Sequence, residues 1–225
     1  MRSHPAPPPV SPPSPDRRFD DLVRDVHACT ACDRMTHAHV LGDGNGRRDA
    51  RVIFVAEAVG RRGGAVTGVP LTRDESGRRF AAFLSLAGLR REDVFVTNAV
   101  LCNPIDAAGR NRPPALREVA RCRTFLARTL EIVRAPVVVA LGRAALESLR
   151  AIAPHDAELP RGVPLAVPWD GRVLVAMYHP SRQSTLHRSQ ERQEDDWRRL
   201  GALLSEIDCQ PRVARRDRRS YHDPA

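Results

Sequence analysis

The chain has 225 residues, 42% of them hydrophobic, which is enough for one sizeable core and one domain. Its 36 basic residues are all arginine and outweigh 27 acidic ones, for a formal charge of +9. The absence of lysine excludes lysine Schiff-base chemistry and the P-loop lysine, while the arginine surplus is compatible with a polyanionic partner. No run approaches the ~20 apolar residues of a membrane span, and the opening MRSHPAPPPVSPPSPDRR lacks an apolar signal stretch, so neither a membrane segment nor an ordinary secretory signal is expected.

Residues 1–16 are proline-rich and read as a disordered arm. Phe19, Leu22, Val23 and Val26 fall at helical spacing and predict a helix over 17–28. RVIFVAEAVG predicts a buried strand over 51–56, followed by a loop with glycines at 60, 63 and 64. A helix over 77–87 and a strand over 94–96 come next, then the loop AGRNRPP at 108–114 and a helix over 116–133. The apolar run PVVVALG leads through Gly142 into a helix over 143–151. VLVAMYHPS repeats the strand-to-loop pattern, and a polar helix over 189–207 precedes a basic tail from 209. Short apolar strands alternating with helices predict an α/β sandwich around a mainly parallel sheet, within one domain over 17–208.

Five cysteines with no sign of export argue for a reducing compartment rather than a disulfide framework. Cys29 and Cys32 form C-x2-C, Cys102 and Cys122 follow far downstream, and Cys209 is left without a partner in the tail. Four thiolates suit structural zinc or an iron–sulfur cluster, and ordinary buried cysteines remain the alternative. In parallel sheets, ligands bind beyond the carboxyl ends of the strands. Glu57-Ala58-Val59-Gly60, Thr97-Asn98, Gly142-Arg143 and His179-Pro180-Ser181 fall at such ends, which brings a carboxylate, an amide and an imidazole to one edge.

The order CxxC, strand–EAxG, G-x-P, TN-x3-C, N-R-x-P, C, ALG and HPS resembles the iron–sulfur uracil-DNA glycosylases of the family 4 and family 5 types, over roughly residues 20–207. The resemblance implies a three-layer α/β/α sandwich with a central mainly parallel sheet, stapled by a [4Fe-4S] cluster on Cys29, Cys32, Cys102 and Cys122. Zinc is the alternative occupant. It further implies a monomeric, cytoplasmic, nucleoid-associated DNA-repair enzyme that flips a base out of DNA and hydrolyses its N-glycosidic bond. A DNA-binding, damage-sensing module of the same fold with weak catalysis is the alternative.

By the same resemblance, Asn98 reads the base through an amide that both donates and accepts, and His179 donates to the departing base. Ser181 holds phosphate, while Glu57 orients the attacking water or offsets the sugar's positive charge, with the backbone at Val59 and Gly60 as the alternative water site. Two departures stand out. The first motif reads AEAVG rather than GEAPG, and Leu71 occupies the place of a stacking phenylalanine. Arginines 110 and 112 and the segment 182–188 are the expected phosphate contacts.

Overall fold

The computed structural model describes residues 13–159 and 166–209. The proline-rich arm through residue 12 and the basic tail from residue 210 lie outside the described residues.

Helix α1, Pro15–His27, starts two residues before the expected boundary. Ser14 accepts a hydrogen bond from the Arg17 amide at 3.3 Å, and Pro15 occupies the first helical turn, where its missing N–H costs nothing. Phe19, Leu22 and Val26 form its buried stripe.

Strands β1 (Val52–Ala58), β2 (Val94–Val100), β3 (Val137–Leu141) and β5 (Arg172–Met177) are parallel. The last strand in space, β4 (Ala166–Trp169), pairs antiparallel with β5 across a turn in which Asp170 and Gly171 both have positive φ. The order is β2-β1-β3-β5-β4. Their apolar runs are nearly continuous because both faces of the parallel strands are covered.

Helices α1, α4 (Leu116–Ile132) and α5 (Arg143–Arg150) cover one face, and α3 (Glu75–Leu86) and α6 (Gln190–Cys209) cover the other. A single turn, α2 (Gly64–Thr67), lies in the loop between β1 and α3. The fold is therefore mixed α/β with a mainly parallel central sheet flanked by helices.

Two contacts fix the geometry around the sheet. On the α3–α6 face, the Trp197 ring stacks on Phe54 and Phe83, each at 5.4 Å, and meets Phe80 edge-on at 5.7 Å. Beside β2, the fully buried Asn45 donates from Nδ2 to the Val96 carbonyl at 2.7 Å and accepts from the Gly42 amide at 2.9 Å. No helix among the described residues is long and apolar enough to cross a membrane.

Candidate active site

Strand order reverses around β1, with β2 on one side and β3 on the other, and at such a point the loops diverge and leave a crevice. All four parallel strands end at the same edge, so Glu57, Asn98, Gly142 and His179 share it. Asn98 lies opposite Ala56 in the β1–β2 register, is 2% exposed, and its Nδ2 has no hydrogen-bond partner among the described residues. A buried amide donor left unmade costs about 1–3 kcal/mol. It is an orphan that a ligand with a matching acceptor would satisfy.

Glu57, near the end of β1, is half-buried, and burial pushes its carboxyl above the usual range. His179 is half-buried beyond β5, and burial pulls its imidazole down from 6.5 to about 4. It is therefore a neutral ring at pH 7, able to donate from one nitrogen. Gly142 has φ +95°, a conformation that favours glycine, and lies against the His179 loop, where a Cβ would make only an ordinary contact with the His179 Cβ at 3.5 Å.

The His179 loop is braced from both sides. Ser184 Oγ donates to the His179 carbonyl at 2.6 Å and lies 2.9 Å from Ser181 Oγ. The Arg79 guanidinium, from α3, donates to the Pro180 carbonyl at 3.1 Å and reaches Gln190 on α6. Ser181 is thus engaged inside its own loop.

Val59 is buried, and its carbonyl accepts from Asn103 Nδ2 at 2.8 Å. The same Asn103 amide donates to Asn111 Oδ1 at 3.0 Å, and Asn111 Oδ1 also accepts from the Arg61 amide at 3.2 Å. Two asparagines of the 103–111 loop therefore hold the turn Val59–Gly60–Arg61. Leu71, with φ +51°, packs against the core between α3 and α6.

Sequence reasoning missed Asn103, Ser184 and Arg79, whose roles arise from tertiary hydrogen bonds. It also missed Leu186, 80% exposed on the segment beyond His179. Of the arginines expected to meet phosphate, Arg182 is exposed, while three others carry acidic partners. Arg112 is held by Glu118 at 2.6 Å, and Arg188 is buried against Asp196 at 2.5 Å. Arg110 pairs with Asp106 at 2.8 Å.

The expected [4Fe-4S] cluster is also corrected. Segment 34–40 runs alongside 101–105, with Thr36 bonded to Asn103 and Val40 to Leu101 through the backbone. That pairing sets His37 and His39 against Cys102, with the three donor atoms within 4.8 Å of one another. Two imidazoles and one thiol resemble a structural zinc site rather than a four-thiolate iron–sulfur site. Cys29 and Cys32 are close enough to act electrostatically on Cys102 and Cys122. Burial raises both the Cys102 and the Cys122 thiols, the latter to about 12. The signal passed over was His-Ala-His at 37–39, because only cysteines were counted as ligands.

The model of the uracil DNA glycosylase superfamily matches residues 44–201, a span that contains every strand and the whole carboxyl edge. A type-4 uracil-DNA glycosylase from Archaeoglobus fulgidus is 34% identical over 194 residues, 82% of this chain and 92% of the relative. One from Thermotoga maritima is 34% identical over 157 residues, 69% of this chain and 78% of its own. A type-5 uracil-DNA glycosylase from Thermus thermophilus is 36% identical over 196 residues, 73% and 87% of the two chains. The chain belongs to the uracil-DNA glycosylase superfamily, as a divergent member related to both types at moderate identity.

Proposed function

We propose that the protein is a monofunctional DNA glycosylase that excises uracil or a related deaminated base and leaves an intact abasic site. The observation that carries this reading is the buried, unpartnered Asn98 amide at the sheet edge that also bears the neutral His179. In it, the target nucleotide leaves the stack, at a cost of a few kcal/mol that is least for a mispaired base. Leu186, exposed beside the site, fills the vacated space as an apolar wedge.

The Asn98 amide donates to a base carbonyl and accepts from the adjacent ring N–H. His179, already neutral, donates to the oxygen on which charge develops as the glycosidic bond breaks, so no proton has to be lost first. Glu57, its acidity weakened by burial, accepts a hydrogen bond from the attacking water, which the Val59–Gly60 backbone orients. With no lysine in the chain, the product sugar meets no lysine amine and the strand stays unbroken.

The second reading, a DNA-binding, damage-sensing module with weak catalysis, is favoured by AEAVG in the first motif and by Leu71, which offers no aromatic face. An excision assay over uracil, hypoxanthine and xanthine in duplex and single-stranded DNA separates the two. Base release that falls roughly a hundred- to thousandfold in His179→Ala supports the glycosylase. Binding without release from any substrate supports the module.

A further inference from the structure

Arg112 and Arg188 are held by acidic partners, yet another set of arginines stands open on the loop after β1 and the start of α3. A cavity of about 1120 Å³ lies between the loop after β1 and the start of α3. Arg61, Arg62, Arg73, Arg78, Arg110 and Asn111 line it. Arg61, Arg62, Arg73 and Arg78 are exposed and form no ion pair among the described residues. Asp74 and Glu75 also line the cavity, but Asp74 Oδ1 is occupied in capping α3, where it accepts from the Gly77 amide at 2.9 Å.

We infer that this cavity is the binding groove for the phosphodiester backbone of the DNA strand flanking the extruded nucleotide, an inference that rests on the glycosylase reading. Four guanidiniums without a carboxylate partner among the described residues stand around one concave surface, Arg78 donating only to the Arg73 carbonyl at 3.1 Å, and match successive phosphates, since a planar fork meets phosphate oxygens with two parallel hydrogen bonds. The lining is a wide, open concavity rather than an enclosed pocket, which suits a polymer better than a free nucleotide. Val66, 58% exposed on α2 within the same lining, gives an apolar contact for a sugar or base face.

Continuity with the site is direct. Arg61 follows Gly60 in the turn that Asn103 and Asn111 hold, and a Cβ on Gly60 would come within 2.7 Å of Asp74 Oδ2. A strand seated on the arginines therefore passes the carboxyl edge of β1.

The test compares the full chain with Arg61→Gln/Arg62→Gln, Arg73→Gln/Arg78→Gln and the control Arg192→Gln, which is exposed on α6 away from the cavity. Affinity for a labelled duplex carrying a stable abasic-site analogue is measured between about 50 and 200 mM salt. Each double variant should bind at least about tenfold more weakly and lose about 1–2 from the steepness of log K against log salt, while Arg192→Gln changes neither. Circular dichroism confirms that each variant is folded. Slopes equal to the parent in both double variants, or the same loss in Arg192→Gln, overturn the groove. A parent chain that binds with full salt dependence but releases no base overturns the glycosylase reading and leaves the groove standing.

Discussion

Asn103 shows how one side chain serves the site without touching a substrate. Its single amide nitrogen ties the Val59 carbonyl to Asn111, and its Oδ1 is buried without a partner among the described residues. Asn103→Ala removes that tie and lets the Val59–Arg61 turn drift. A displacement of about 1 Å is enough to cost up to about a hundredfold in rate, so kcat should fall more than KM rises in single-turnover and steady-state assays. His179 predicts a pH dependence. Its folded pKa of about 4 lies below its ordinary 6.5, so between those values the unfolded chain takes up a proton that the folded chain refuses. Stability is then full above pH 6.5 and declines as pH falls toward 4, by up to about 3 kcal/mol from this group. Urea denaturation at pH 7 and pH 4.5 should show a smaller loss for His179→Gln than for the parent.

Among the elements, α3 and α6 are pressed together at a point where side chains have no room. A Cβ on Gly201 would lie 2.5 Å from the Ala87 carbonyl oxygen, closer than real contacts allow. Gly201→Ala should therefore cost about 1–3 kcal/mol through overpacking, read as a lower urea midpoint with an unchanged slope. The same pair of helices holds Arg79 and Gln190, which brace the His179 loop, so the variant should lose activity together with stability. Helix α4 was legible to within a residue because its apolar spacing and the proline-rich stretch before it mark both ends. Strand β4 was not, because AVPW is four residues long and contains a proline that reads as a break. Strands β1 and β2 run further than expected, to Ala58 and Val100, because parallel pairing carries Glu57, Thr97 and Asn98 into the sheet despite their polarity.

At the scale of the whole molecule, the tie between the N-terminal segment and the middle of the chain is made by residues 34–40 against 101–105. If His37, His39 and Cys102 hold zinc there, chelation should lower the melting temperature, and His37→Ala/His39→Ala should reduce the zinc content measured by mass spectrometry. A brown protein whose iron content is indifferent to both histidines would return the site to thiolates alone. The carboxyl edge of the sheet could be read from the sequence because strand-to-loop boundaries are local: an apolar run ends and a polar or glycine residue follows. Which arginines are free could not be read. Arg112 and Arg61 look alike along the chain, and only the fold places Glu118 against the first and, among the described residues, no carboxylate against the second.

Asn45 has one more consequence. Strand β2 is the outermost parallel strand, a margin onto which another extended chain could be added, and all seven of its residues are buried because segment 42–46 lies along that margin, with Gly46 against the Val94 carbonyl. By occupying the Val96 carbonyl, the Asn45 side chain denies that margin a point of attachment, while Pro168 in β4 interrupts the opposite margin by lacking an N–H. An asparagine remote from any chemistry thus keeps one copy of the sheet from growing into the next, and its loss would be felt first as self-association on gentle heating.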